Sequence, residues 1–138
     1  SDAATAMDWL QAQNPASREC WIAGFSFGSW IGMQLMMRRP EIRGFIAATP
    51  PALTHDFSFL APCPASGLIV HGEEDEQVPR DAIYKLVERL SIQKGVTIDI
   101  DLVPGANHFF TDHLDPMIER VSTYLDKTFN EPNFDPLA

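Results

Sequence analysis

The chain has 138 residues, 45% of them hydrophobic and 21% charged, which is the composition of one folded domain and not of a disordered or collagen-like polymer. Nineteen acidic residues against ten basic ones leave a formal charge of −9, a balance that repels phosphate backbones and anionic lipid heads and argues against nucleic-acid and membrane-surface roles. Cys20 and Cys63 are too few and too widely spaced for a disulfide scaffold or a C-x-x-C metal site and read as buried free thiols, and no apolar run approaches the ~18 residues of a membrane span.

In chain order, Ser1 and Asp2 open a helix carrying Ala3, Ala6, Met7 and Leu10, which Asn14 and Pro15 end. Residues 1–15 lack the basic and apolar regions of a signal peptide, so the expected location is the cytoplasm. A βα unit that begins at its helix implies that the strand ahead of it is missing, and that the chain is the C-terminal part of a larger α/β protein. A small domain that starts on a helix is the alternative.

Residues 20–23, 44–48, 67–70 and 96–103 are rich in apolar and β-branched side chains and read as strands. The first three runs are continuous, as in parallel strands covered on both faces. In the fourth, Val96, Ile98, Ile100 and Leu102 alternate with polar residues, as in an edge strand with one wetter face. Between them, residues 27–39 form an apolar helix stopped by Pro40, and Ile83, Leu86, Val87 and Leu90 mark a helix between Pro79 and a cap at Gly95. Ile118, Val121 and Leu125 mark another after Pro116, and residues 130–138 are left as an irregular tail. Strands alternating with helices predict a mostly parallel sheet with helices on both faces, a three-layer αβα domain over residues 1–129.

The stretch Cys20-Trp21-Ile22-Ala23-Gly24-Phe25-Ser26-Phe27-Gly28 places G-x-S-x-G between a buried strand and an apolar helix. Ser26 would occupy a sharp turn, with small residues at 24 and 28 allowing close backbone approach, and the N–H of Phe27 at the helix start would face a developing oxyanion. A serine hydroxyl needs a base and a group to orient that base. Asp75, in His71-Gly72-Glu73-Glu74-Asp75-Glu76-Gln77-Val78-Pro79, and His108, in Gly105-Ala106-Asn107-His108-Phe109-Phe110, each follow a strand's C-terminal end. That is the sheet edge carrying Ser26.

With these three motifs in the order Ser, Asp, His, the sequence resembles the C-terminal portion of an α/β-hydrolase. It is most similar to small bacterial hydrolases related to dienelactone hydrolases and short-chain esterases. The resemblance implies a Ser26–Asp75–His108 triad, a partial α/β-hydrolase fold holding strands five to eight, and no cofactor. It also marks a departure, because the loop that supplies a second oxyanion N–H in such enzymes precedes everything present here. The first strand would then leave an apolar edge unpaired, to be covered by the missing N-terminal segment or by a second copy in a homodimer.

Phe25, Phe57, Phe59 and Phe109 are candidates for a substrate pocket, and core packing is an equal alternative for each. Residues 50–66 are too few to build a helical lid, which points to an open site for small or accessible esters. No spacing of His, Asp, Glu or Cys matches a metal site. The other histidines have structural readings: His71 follows a strand core, and His55 and His113 are taken as exposed. The expected function is hydrolysis of carboxylic esters. A catalytically weak or inactive module acting in assembly or interaction is the competing reading.

Overall fold

The computed structural model describes residues 2–13, 19–60, 62–92 and 94–130. The readings placed on Ser1, on Asn14 and Pro15, and on the tail beyond Asn130 lie outside the described residues. Helix α1 spans Asp2–Gln13, followed by β1 (Cys20–Phe25), α2 (Phe27–Arg38), β2 (Ile42–Ala48), β3 (Gly67–Gly72), α3 (Arg80–Leu90), β4 (Ile98–Val103) and α4 (Leu114–Phe129). The four strands pair in sequence order, all parallel, with Phe25 opposite Ala48, Ala48 opposite Val70 and Val70 opposite Asp101. This register lines up the C-terminal ends of all four strands on one edge.

The side chains of β2 and β3 alternate between two cores, as the pleat requires. Phe45, Ala47 and Ile69 join Met33, Met36, Ile83, Leu86 and Leu90 of α2 and α3 on one face. Ile46, Leu68, Ala48 and Val70 meet Tyr124, Val121 and neighbouring side chains on the other. Met7 brings α1 into the α2 side. Two strand glycines each lie under an aromatic ring from the neighbouring strand, Gly44 under Trp21 and Gly67 under Phe45, and these flat contacts fill the space a Cβ would take.

Several expectations shift. Strand β1 is not covered on both faces: it pairs only with β2 among the described residues, and Ala23 and Phe25 are exposed. Cys20 is half-buried and only Cys63 is buried, both as free thiols. Helix α2 is not buried all round, because Phe27 and Met37 face solvent. Helix α3 ends at Leu90, where the Ser91 N–H still reaches the Val87 carbonyl, so Gly95 with its positive φ belongs to the turn into β4 and caps nothing. Strand β4 is an edge among the described residues, as the alternation implies, yet its polar face is not left to water. Asp99 and Asp101 pair with Lys127 and Arg120 of α4.

The α4 stripe is rotated from its expected place: Met117, Val121, Tyr124 and Leu125 pack on the sheet, while Ile118 is exposed. Replacement of Phe45, fully buried beneath α2 and over Gly67, by alanine is expected to cost ~3–5 kcal/mol in a urea unfolding titration. Ile118→Ala should stay within about 0.5 kcal/mol of the parent protein.

Candidate active site

Ser26 sits between β1 and α2 at φ 52°, ψ −121°, a backbone conformation that L side chains adopt only when the surroundings hold them there. Both ends of the residue are fastened. Its N–H donates to the Ala48 carbonyl at 2.8 Å, and its own carbonyl accepts from the Ser29 N–H at 2.9 Å and the Ser29 hydroxyl at 2.5 Å. The turn closes only because Gly24 has no Cβ, which would stand 2.5 Å from the Gly28 carbonyl oxygen. Gly28, by contrast, faces open space, so its own lack of a side chain does not close the turn. Phe27 is the first residue of α2, where a backbone N–H has no carbonyl four residues back and the helix carries its positive pole.

The acid loop and the histidine loop are sewn to one another. The Glu73 N–H donates to the Val103 carbonyl at 3.0 Å and the Glu74 N–H to the Ala106 carbonyl at 2.9 Å. Glu74 and Glu76 point to solvent, while the Asp75 carboxylate turns inward and is fully buried. One of its oxygens, Oδ1, accepts the N–H groups of Gln77 and Val78, both at 2.8 Å. The other, Oδ2, accepts the Nδ1–H of His108 at 2.7 Å. A carboxylate can only accept here, so the proton lies on Nδ1. The Nε2 lone pair of His108 is left to the Ser26 hydroxyl, which donates to it at 3.1 Å.

Phe110 is buried among Ala48, Val70, Val103 and Ala106, and the Asn107 carboxamide oxygen collects the N–H groups of Phe109 and Thr111 at 3.1 and 3.0 Å. Those two contacts hold the histidine loop in shape although Phe110 and Asp112 both have positive φ.

The rings around His108 are Phe25, at 6.0 Å between centroids, and Phe109, at 5.0 Å, and both stay open to solvent with 41% and 62% exposure. Phe27 turns the other way, toward Trp30 and His55. Phe57 is buried in the main core with Phe59 stacked on it, so these two rings are occupied in packing. His55 is half-buried against Trp30, and His113 is half-buried with its Nδ1 on the Thr111 carbonyl, so neither is the exposed side chain expected. A groove of about 330 Å³ between residues 52–57 and α3 contains none of Ser26, Asp75 and His108.

Sequence reasoning missed Ser29, Asn107, Gly72 and Thr49. Ser29 and Asn107 act through side-chain hydrogen bonds to backbone that no periodicity announces. A Cβ on Gly72 would lie 2.5 Å from both the Ala106 and Asn107 carbonyl oxygens. Thr49, fully buried at φ 45°, follows Ala48 beside the turn and donates its N–H to the Val70 carbonyl at 2.9 Å. His71, read as structural, is also fully buried, and its Nε2–H donates to the Val78 carbonyl at 2.8 Å. Burial pushes its pKa below the ordinary histidine range, with the Val78 carbonyl and the Asp75 carboxylate opposing in part. Among the described residues, no group of three His, Cys, Asp or Glu side chains is placed to hold a metal ion, and no helix is long and apolar enough to cross a membrane.

The dienelactone hydrolase family profile matches residues 1–130. An uncharacterized protein of Rickettsia prowazekii is 48% identical over 128 residues, 90% of this chain and 54% of that protein. The crystal structure of a protein of unknown function from Agrobacterium tumefaciens, assigned provisionally to the α/β hydrolases, is 53% identical and superimposes with a TM-score of 0.91 over 94% of this chain and 60% of its own. An α/β serine hydrolase homologue from Coxiella burnetii is 26% identical, with a TM-score of 0.80 over 90% of this chain and 57% of its own. The chain therefore spans a little over half the length of these relatives, and its sheet is a partial α/β-hydrolase fold.

Because the histidine loop leans on Gly72, a Gly72→Ala variant is expected to move His108 away from Ser26 while the strands remain paired. The check is a crystal structure or histidine NMR spectrum of the variant. An unmoved His108 would show that the loop yields elsewhere.

Proposed function

The chain belongs to the dienelactone hydrolase family of α/β hydrolases, and on that premise we propose that it is a serine hydrolase of carboxylic esters acting through Ser26, His108 and Asp75. The observation that carries this reading is the continuous relay from the Ser26 hydroxyl to His108 Nε2 at 3.1 Å and from His108 Nδ1 to Asp75 at 2.7 Å. In the proposed reaction the Ser26 oxygen bonds to the acyl carbon as its proton passes to His108 Nε2, and the carbonyl electrons move onto oxygen. The Phe27 N–H donates to that oxyanion. Collapse of the intermediate breaks the ester C–O bond, and His108 returns the proton to the leaving alcohol. Water then repeats the sequence on the acyl-enzyme and releases the acid.

Asp75 holds the imidazole in the needed tautomer and stabilises the imidazolium. Phe25 and Phe109, the exposed rings beside His108, supply an apolar rim suited to small or accessible acyl or alcohol groups. No step calls for a cofactor.

A fluorophosphonate probe and short-chain p-nitrophenyl esters test the assignment. Labelling should fall on Ser26. Hydrolysis should drop by about 10⁶-fold in Ser26→Ala and His108→Ala, down to what binding and oxyanion contacts supply, and by only about 10⁴-fold in Asp75→Asn, which keeps nucleophile and base but supports the wrong imidazole tautomer. An unlabelled Ser26 in the folded protein would remove the reading.

That β1 pairs only with β2 among the described residues favours a second reading, in which this half of the fold acts in assembly with a further polypeptide segment or a second copy paired along Cys20–Phe25. Sedimentation across a wide concentration range should then show an associated species that dissociates on dilution. A monomer at every concentration would dismiss pairing between copies.

A further inference from the structure

His71 is one of the largest side chains buried without any solvent exposure, and it stands directly under the acid loop. The Val78 carbonyl can only accept, so the proton of its 2.8 Å hydrogen bond lies on His71 Nε2, and burial, which pushes the ring's pKa down, favours the neutral form. The remaining nitrogen, Nδ1, is buried with no partner among the described residues. An unpaired buried acceptor costs free energy that an aliphatic side chain of similar volume would not incur, so apolar filling alone does not account for a histidine here. What the imidazole adds is the Nε2–H.

That donor acts on the segment that aims the carboxylate. Asp75 Oδ1 rests on the N–H groups of Gln77 and Val78, so the orientation of the carboxylate depends on where that segment lies. His71 holds the carbonyl of the same Val78 from below, and its Nε2 is also 3.7 Å from Asp75 Oδ2, the oxygen that accepts from His108. The charged or titratable groups that bear on it are Asp75 from the acid loop and His108 from the histidine loop. With Val78 held at both its N–H and its carbonyl, Oδ1 is fixed and Oδ2 is delivered to His108 Nδ1.

We propose that His71 is a positioning residue that aligns the Asp75–His108 pair by holding the Val78 carbonyl and so fixing the residue whose N–H carries Asp75 Oδ1. It touches no reacting atom and acts only through Asp75. The inference rests on the serine-hydrolase reading for its consequence in turnover, but the geometry it describes is independent of any substrate.

The test uses His71→Leu, which keeps volume and removes the donor, beside His71→Gln, whose terminal amide reaches the place of Nε2, and His71→Asn, whose amide stops short at the place of Nδ1. The readouts are ester kinetics and the far-downfield proton resonance of the His108 Nδ1–H···Asp75 hydrogen bond. The expected result is a loss of about 10- to 100-fold in kcat with little change in KM for Leu and Asn, because misaligned groups lose the chemical step before they lose binding. In those variants the downfield resonance should shift or disappear, and Gln should restore both. Should the Leu variant fail to fold, the contrast between Gln and Asn decides. Wild-type kcat and an unmoved resonance in folded Leu or Asn variants would overturn the proposal. If the parent protein neither hydrolyses esters nor labels at Ser26, the hydrolase reading fails, and the resonance alone still tells whether His71 aligns the pair.

Discussion

The Asp75 carboxylate is the contact on which the site depends. It is a charge buried without solvent access, and such a group is tolerated only when its lone pairs are taken up. Two backbone N–H groups of its own loop and one imidazole N–H from the next loop do this. The same three bonds therefore fold the acid loop, fix the tautomer of His108 and leave Nε2 directed at Ser26. Removal of any one would leave a buried charge partly unpaired, which makes the two loops one unit.

The Ser26 turn is the complementary feature. Its strained backbone persists because each polar group of the peptide is tied down, the N–H to β2 and the carbonyl to Ser29. Gly24 permits the helix to start against the strand, and the parallel register then carries Ser26 and the two loops to a common edge. The aromatic rings at the rim, Phe25 and Phe109, remain exposed because the loops beneath them are held by polar bonds and by the buried Phe110. The rim residues therefore need not pack inward to keep the loops in place.

The sheet is asymmetric in its protection. At β4 the edge strand directs two aspartates toward basic residues of α4, so the outer layer meets a charged surface with matched charges. At β1 the other edge presents a short apolar strand, Cys20–Phe25, with Ala23 and Phe25 exposed. Among the described residues β1 therefore pairs on one side only, with β2.

By itself the sequence determined the architecture and the candidates for chemistry. Continuous apolar runs separated by helical periodicity specify parallel strands, and G-F-S-F-G, the Asp75 loop and the His108 loop each sit at a strand end because loop position follows from element order. It did not decide what depends on rotation and reach. Composition and spacing do not tell which carboxylate of Glu73-Glu74-Asp75-Glu76 turns inward; the family resemblance named Asp75, and the physical reason, the placement of the Gln77 and Val78 N–H groups and of His108, lies in the tertiary structure. A helical stripe at 3.6-residue spacing leaves the facing direction uncertain by one position, so Met117 packs where Ile118 was expected. Phe25 and Phe57 are alike as apolar residues, yet Phe25, at the end of β1, rims the imidazole while Phe57, in the connection between β2 and β3, fills the core. His71 reads in sequence as a structural residue following a strand core; its hold on Val78 exists only once β3 and the loop beyond it have folded over one another. Local patterning is written in neighbouring residues, whereas a hydrogen bond between distant ones is set by the whole chain's path, and that is why the elements were legible and their mutual aim was not.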